Sequence, residues 1–415
     1  MTSNEFKSAV TLNPAWASTL SEAVVITDYC DMRKSRITHL SPLLHFAGAD
    51  EFGNCADFSM CKSLEVAEGV FEKGVIFDKS GVVRIGDLQI RNANDNGQAA
   101  SFAGCKKLKV AAGTYPGHVI FFGSGVEVIE NLQIIRPDLR GNAADFGECK
   151  SLAVACGNFP GHVDFKWAGI ERIEALYIHA PNKAGNAASF ERCYSLAEAT
   201  GTFPGFVKFR KSGIRCISLL NITKPSKAKL AADFSECESL RIATGEYPGF
   251  VSFKSSSVES IENLNITATN RDGNSASFEG CESLRCASGI YEGSVSFFGS
   301  GVERIQSLVI VKPDKEGCAA NFSCCLNLKT AEGNFPGSVD FSGSGLIRIR
   351  NIHFPNDHST CDITDCRAIT HCSEQILADD RFIMDEETRG MIKLSLVRQL
   401  AARKAMKSLV DVLLE

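Results

Sequence analysis

Apolar and polar positions repeat along this chain with a period of 44 residues. Each period contains two apolar cores, LxxAxG and IxxLxI, with a V-x-F segment between them. In the second period these segments are residues 108–113, 129–134 and 119–121. Alternating apolar residues predict short β-strands, and neither half has room for a strand plus a full helix. The pattern therefore predicts two β-rich coils per period, of about 21 and about 23 residues.

A few positions do not vary over seven full periods. The strictest is a cysteine that recurs as Cys61, Cys105, Cys149, Cys193, Cys237, Cys281 and Cys325. A phenylalanine precedes each of these cysteines by three residues, and a leucine follows each by three. Phe-Pro-Gly and Ser-Gly segments predict turns, where glycine permits a left-handed corner. Because one coil cannot bury its apolar side chains alone, equivalent residues are expected to stack from coil to coil in a solenoid.

The FxxCxSLxxA segment followed by VxxI resembles the BspA-type subclass of bacterial leucine-rich repeats, over residues 30–372. The resemblance implies a leucine-rich-repeat-like array of seven 44-residue double coils. Glycine or alanine replaces the later leucines in every first coil, so a parallel β-helix is the alternative architecture. Residues 1–29 and 373–415 are expected to cap the open ends of the array, because solenoids need their last coils covered.

The segment from Asp385 onward has a different pattern. Apolar residues recur there at helical spacing: Ile392, Leu396, Leu400, Leu409 and Leu413. Acidic residues at 385–387 suit a helix N-terminus, and basic residues follow them without an acidic one among them up to Lys407. We predict a C-terminal helical cap with a solvated basic face. Contact of that face with anionic lipid or an acidic partner is the alternative.

Composition restricts the compartment and the partners. The 17 cysteines do not predict disulfides, because equivalent cysteines two coils apart are about 9–10 Å from each other, beyond disulfide reach. Buried free thiols suit a reducing compartment. The net charge of −5 gives no case for nucleic-acid binding. No apolar run is long enough to cross a membrane, and the start lacks the features of a signal peptide. We expect a protein that is cytoplasmic, or secreted without a cleaved signal peptide.

Candidate chemistry is sparse. One cluster suggests zinc: His353, His358, Cys361, Cys366, His371 and Cys372. The repeat already accounts for Cys366 and Cys372, so no metal and no other cofactor are predicted. A carbohydrate-active β-helix enzyme would need paired carboxylates on one face, and the acidic positions Asp164, Glu332 and Asp340 are scattered over different periods. No catalytic residue is predicted.

Function is expected where the repeat varies. The residue between Pro-Gly and V-x-F is expected to face solvent, and in four successive periods it is His118, His162, Phe206 and Phe250. Further candidates for ligand binding are Phe122, Trp167 and Tyr177. Exposed aromatic rows on a rigid solenoid are typical of binding surfaces, although packing against the next coil would explain them equally well. The sequence thus predicts a non-enzymatic scaffold for a protein partner, either a secreted bacterial effector or a cytoplasmic adaptor. A carbohydrate-active or other β-helix enzyme is the alternative.

Overall fold

The structure is a computed structural model that describes residues 1–355 and 357–414, without the side chains of residues 351, 374, 405 and 407–414. The chain divides into two compact units. The first comprises Met1–Ile214 and Ser218–Lys227, and the second comprises Arg215–Ile217 and Ala228–Glu415. Each unit is a parallel β-solenoid.

The first unit begins with helix α1 (Ser3–Leu12) and a 3₁₀ helix (Trp16–Thr19), followed by strands. The strands are β1 (Val24–Ile26), β2 (Cys30–Asp31), β3 (Leu44–Phe46), β4 (Asn54–Asp57), β5 (Val66–Phe71), β6 (Gly74–Ile76), β7 (Arg84–Ile90), β8 (Gln98–Ser101), β9 (Val110–Tyr115), β10 (His118–Ile120), β11 (Val128–Ile134), β12 (Asn142–Asp145), β13 (Val154–Phe159), β14 (His162–Asp164), β15 (Arg172–Ile178), β16 (Asn186–Ser189), β17 (Glu198–Phe203), β18 (Phe206–Lys208) and β19 (Cys216–Ile222).

The second unit contains the remaining strands, a 3₁₀ helix (Glu374–Leu377) and helix α2 (Glu386–Leu414). Its strands are β20 (Leu230–Asp233), β21 (Ile242–Tyr247), β22 (Phe250–Ser252), β23 (Ser260–Ile266), β24 (Asn274–Ser277), β25 (Cys286–Tyr291), β26 (Ser294–Ser296), β27 (Arg304–Ile310), β28 (Cys318–Asn321), β29 (Thr330–Asn334), β30 (Ser338–Asp340), β31 (Arg348–His353), β32 (Cys361–Asp362) and β33 (Phe382–Ile383).

Two parallel ladders run along each unit. Even-numbered strands form a ladder of short strands, in which β12 pairs with β14 through Ala144↔Val163. Odd-numbered strands up to β31 form a long ladder that is divided into four sheets: β1 to β7, β9 to β15, β17 with β19, and β21 to β31. In the second sheet β13 pairs with β15 through Phe159↔Ile178. This confirms the predicted β-rich solenoid. Strands on two faces of every coil form the parallel β-helix arrangement, and the leucine-rich-repeat assignment stays a prediction.

A stack of phenylalanine rings fills the core between the ladders. In the first unit neighbouring centroids are 5.2–5.5 Å apart and the ring planes are within 12° of parallel. The stack consists of Phe58, Phe77, Phe102, Phe121, Phe146, Phe165, Phe190 and Phe209. A second stack in the second unit runs through Phe234, Phe253, Phe278, Phe297, Phe322 and Phe341. Coil-to-coil stacking is therefore confirmed within each unit.

The cysteine ladder is buried and reduced. All 17 cysteines are free thiols, and those of the ladder have no exposed surface. Cys105 donates from Sγ to the carbonyl of Phe77 at 3.0 Å and lies 3.3 Å from the Ser80 hydroxyl of the preceding coil. Burial raises the pKa of the Cys105 thiol to about 11. The cysteine is thus a weak hydrogen-bond donor as well as a small apolar group, a role the sequence analysis missed.

The turn glycines serve a different purpose from the one expected. No positive φ is found at Gly161 of Phe-Pro-Gly or at Gly169 of Ala-Gly, the equivalent of Ser-Gly in that period. A Cβ atom on Gly169 would instead overlap the carbonyl oxygen of Lys150, and one on Gly161 would overlap that of Gly141. These glycines allow close approach between coils. The left-handed φ angles lie elsewhere, at 93° for Gly141 and at one corner of each coil.

The N-terminal segment closes the first unit. Thr2 and Glu5 form a capping box at the start of α1, and Phe6 of that helix is fully buried. The Phe6 ring meets Phe46 edge-on at 5.9 Å, at the end of the aromatic core. Strand β1 already pairs with β3, so the long ladder begins within the segment predicted as a cap.

The predicted C-terminal helix is present and begins where the acidic residues indicated. Asp385 accepts a hydrogen bond at 2.6 Å from the backbone N–H of Thr388, and this bond holds the pKa of Asp385 below its ordinary value. Ile392 is buried, Leu396 is half-buried and Leu400 is 43% exposed. Among the described side chains of α2, the apolar face is therefore buried at Ile392 and becomes exposed by Leu400. The side chains of Lys407, Leu409 and Leu413 lie outside the described residues.

Candidate functional site

One corner of every coil is held by a residue in the left-handed region. It is the third residue after each short strand, and its φ is between 54° and 68°. Glycine occupies it at positions 104, 123, 280, 299 and 343. In the middle of the first unit four successive coils carry large residues there instead: Glu148, Trp167, Arg192 and Lys211. A left-handed φ is unusual for bulky residues and costs about 1–2 kcal/mol. Lys34, Met60 and Lys79 adopt it as well, so this run is distinguished by what its side chains contact.

Around Trp167 these corners bring together a cluster of aromatic and cationic side chains. The N–H of Trp167 donates to the carbonyl of Glu191 at 2.9 Å, which places Trp167 beside Arg192 on the next coil. The Arg192 guanidinium lies 4.3 Å from the centroid of the indole ring. Lys150 Nζ lies 5.2 Å from the same centroid and donates to the Trp167 carbonyl. Tyr194 meets the indole edge-on at 6.0 Å and is 61% exposed. These four residues form the Trp167 corner.

Positive charge exceeds negative charge around this corner. Glu191 pairs with Lys208 at 2.7 Å and with Lys166 at 3.4 Å, and its side chain is only 8% exposed. Burial acts to raise the pKa of Glu191, but the hydrogen bond and charge of Lys208, with those of Lys166, hold it below its ordinary value. Lys150 and Arg192 add two further cations, and Glu148 adds one exposed carboxylate. The surface therefore favours a negatively charged ligand.

Arg192 also has an unsatisfied donor. Among the described residues, its Nε atom is buried and has no hydrogen-bond partner. Leaving such a group unpaired costs about 1–3 kcal/mol.

The predicted row of variable residues is half-buried, contrary to the expectation that it faces solvent. His118, His162, Phe206 and Phe250 each begin a short strand. Asn142, on the adjacent coil, is the register partner of His162, so residues such as Asn142 separate the candidate residues of successive periods. The His118 side chain is 12% exposed, and its Nδ1 is 4.0 Å from Oδ2 of Asp138. Burial lowers the pKa of both histidines, against the charge of nearby aspartates.

The remaining predicted residues lie in separate places. Trp167 lies beyond the opposite end of β14 from His162, not at the edge of the histidine row. Phe122 is 42% exposed, and its ring packs over Gly147. Tyr177 is 62% exposed on the long ladder, opposite Asn158. The seven candidates therefore do not form one surface.

Sequence reasoning missed Lys150, Arg192 and Tyr194. Lys150 and Tyr194 are 44 residues apart, at a position that also varies between periods as Lys62, Lys106, Glu238, Glu282 and Leu326. A comparison of every variable position between periods, and not only of the residue before V-x-F, would have identified the position of Lys150 and Tyr194. The left-handed corner itself has no constant residue and thus no motif.

Two of the acidic residues interpreted as scattered, Asp164 and Asp340, each have a neighbouring carboxylate. Asp145 and Asp164 are register partners on β12 and β14, and Asp340 and Asp362 pair in the same way on β30 and β32. Each accepts the backbone N–H two residues ahead; for Asp145 this is Gly147 at 2.8 Å. Burial raises the pKa of Asp145 to about 6, and the charge of Asp164 adds to the effect. The turn hydrogen bonds give these residues a structural role.

The cysteine and histidine residues of the last coil do not converge on one point. Among the described residues, no three or more His, Cys, Asp or Glu side chains are grouped so that they could hold a metal ion. Cys361 and Cys366 are buried, and burial raises the pKa of both thiols.

Comparison of the chain with known protein families, curated proteins and solved structures finds no match. Within the described part of the chain, no helix is both long enough and apolar enough to cross a membrane.

Proposed function

We propose that this protein is a non-enzymatic scaffold that binds an acidic segment of a protein partner at the Trp167 corner. The observation that carries the proposal is the contact of Trp167 with Arg192, Lys150 and Tyr194 at a surface with excess positive charge. Trp, Tyr and Arg are the residues that most often dominate binding energy at protein interfaces.

The fold supports this role. The phenylalanine stack beneath the corner fixes the backbone, so the four side chains are held in place before a partner arrives. Less freedom is then lost on binding. The Arg192 guanidinium supplies N–H donors that a partner carboxylate can accept from.

Tryptophan fluorescence tests the proposal directly, because the chain has only two tryptophans. In a Trp16→Phe background all indole emission comes from Trp167. Titration with a synthetic glutamate-rich peptide containing one aromatic residue should shift that emission. A lysine-rich peptide of equal length should not. Affinity should fall as salt is raised, since the contacts are partly electrostatic.

Matched variants locate the binding surface. Arg192→Gln and Tyr194→Ser should each weaken peptide binding by about 1–2 kcal/mol or more. Tyr177→Ser removes an equally exposed aromatic residue from the long ladder and should leave affinity unchanged. Equal loss for Tyr177→Ser and Tyr194→Ser would refute a localised site at the corner.

The alternative, a carbohydrate-active enzyme, has one observation in its favour. Asp145 and Asp164 are register neighbours, and burial, with the charge of Asp164, raises the pKa of Asp145 to about 6. Release of reducing sugars from polysaccharides by the wild type, and its loss in Asp164→Asn, would establish that activity. The turn hydrogen bonds of both aspartates make the scaffold the better supported proposal.

The compartment follows from the thiols. Seventeen free cysteines support a reducing environment, consistent with a cytoplasmic adaptor or an effector delivered into host cytoplasm. The bacterial origin implied by the BspA-type resemblance is part of the same proposal.

A further inference from the structure

The second unit contains a cavity of about 560 Å³ where its long ladder ends. Strand β31, the chain around His371 and helix α2 surround it. Four arginines line it, Arg348, Arg350, Arg381 and Arg403. Its volume is in the range of small-molecule sites.

The cavity exists because no full strand follows β31. On one side β31 pairs with β29 along Thr330–Asn334. On the other, the described contacts are a bridge between Arg348 and His371 and a hydrogen bond from the N–H of Ile349 to the His371 carbonyl at 3.0 Å. The chain then leaves for β33, which joins the short ladder instead. Gln399 of α2 donates to the Thr370 carbonyl at 3.0 Å and fixes the helix across the opening.

Two of the four arginines have their charge balanced. Arg350 pairs with Glu332 at 3.0 Å, and Arg381 makes a two-point contact with Asp379 at 2.9 and 2.7 Å. Arg348 and Arg403 have no carboxylate partner among the described residues. Among the described side chains, the cavity therefore has two guanidinium groups in excess of its carboxylates.

The rest of the lining is mixed. Ile349 and Ile376 are buried apolar side chains that contribute to the wall, together with Phe382. Ser373 and Gln399 add polar groups near the arginines. A ligand that fits would have a doubly charged anionic end and an apolar body.

We infer that this cavity binds a small phosphate monoester with an apolar body. A phosphate monoester carries close to two negative charges at neutral pH, which matches the two unbalanced guanidinium groups. Arginine is well suited to phosphate because its planar group donates two parallel hydrogen bonds. This site is independent of the Trp167 corner, which belongs to the other unit.

Calorimetry on the full chain tests the inference with phenyl phosphate as the probe. Phenyl phosphate should bind more tightly than inorganic phosphate, and phenol should not bind measurably. Arg348→Gln and Arg403→Gln should each weaken phenyl phosphate binding about tenfold or more, the effect of losing a hydrogen bond to a charged group. Arg348→Lys should restore part of the affinity, because lysine keeps the charge without the fork.

The repeat provides a matched control. Arg304 has the same place on β27 that Arg348 has on β31, one period earlier, and is likewise exposed, but strand β29 follows β27 there. Arg304→Gln should leave affinity unchanged. Thermal melting of each variant verifies that the fold is intact.

Three results would overturn the inference. The first is unchanged affinity in both Arg348→Gln and Arg403→Gln. The second is an equal loss in Arg304→Gln, which would indicate general attraction to a basic surface. The third is binding to vesicles that contain phosphatidic acid without binding of phenyl phosphate, which would assign the arginines to a lipid surface.

Discussion

The corner beside Trp167 in the first unit and its equivalent two periods later in the second unit differ in almost every exposed side chain. Ser255 stands where the first unit has Trp167, and Gly280 where it has Arg192. The backbone is the same: φ is 63° at Trp167 and 54° at Ser255. The core determines the corner, and the side chain placed on it is free to change.

The cores beneath the two corners match closely. In the first unit Phe165 stacks on Phe190 at 5.3 Å, and in the second Phe253 stacks on Phe278 at 5.0 Å. What distinguishes the two regions is therefore chemistry at the surface. The aromatic and cationic side chains around Trp167, which the second unit lacks at the equivalent corner, are the basis of the proposed binding site.

The largest expected effect tests whether the cores are equivalent. Leu196→Ala in the first unit and Leu284→Ala in the second each remove a fully buried leucine side chain. Each should lower the free energy of unfolding by about 2–5 kcal/mol, as measured by urea denaturation. A difference larger than about 1 kcal/mol between the two would show that the matching stacks conceal different packing.

A smaller effect is expected from the Asp145–Asp164 pair of the first unit, which the equivalent position two periods later in the second unit lacks. Because burial and Asp164 raise the folded-state pKa of Asp145 to about 6, its protonation stabilises the fold. That contribution is fully present below about pH 4 and is lost as the pH rises through about 6. Asp145→Asn keeps an acceptor for Gly147, and should raise the free energy of unfolding at pH 7 by about 2 kcal/mol.

The second unit supplies the control for this change. Asp233 has the same register position, but its partner is Ser252. Asp233→Asn should change stability by no more than about 0.5 kcal/mol. Asn321, at the same position of another period, already accepts the N–H of Ser323 at 2.8 Å, which shows that asparagine fits this turn. The prediction would be contradicted if the Asp145→Asn variant were less stable than the wild type at pH 7.

Glycine substitution at the corner should have a still smaller effect on folding. Trp167→Gly relieves a left-handed tryptophan but loses the contact with Arg192, so its net change should be less than about 1 kcal/mol. Ser255→Gly has no such ring contact to lose and should stabilise the protein by about 0.5–1 kcal/mol. Thermal melting measures both. A large loss of stability in Trp167→Gly would mean that the indole is a packing residue.

The last prediction concerns reactivity, without an expected change in stability. Cys324 occupies one of the left-handed corners of the second unit and is exposed, whereas the adjacent Cys325 belongs to the buried cysteine ladder. A thiol reagent should modify Cys324 in the native protein, along with exposed Cys216 and Cys318, and should spare Cys325. Peptide mapping after labelling distinguishes them. Modification of Cys325 at a rate similar to that of Cys324 would show that the ladder opens readily.

The sequence alone determined the architecture, because its determinants recur at a fixed period. The 44-residue spacing required stacked coils, alternating apolar residues located the strands at V-x-F and L-x-I, and acidic residues at 385–387 marked the start of α2. Short strands such as β12, over Asn142–Asp145, were not predicted. Buried, unpaired cysteines followed from the spacing between coils. The coils, strands and helix start depend on local pattern and short-range sterics, and both can be read from the sequence.

Only the tertiary structure decided which side chains meet. His118 is covered because Asp138 approaches it from the neighbouring coil, and Trp167 contacts Arg192, which is 25 residues away in sequence. The cavity lined by Arg348 and Arg403 depends on where a ladder stops. Such contacts are set by coil register and by how a cap closes an end. Neither has a periodic signature, so the residues that make a site could not be separated from those that merely vary.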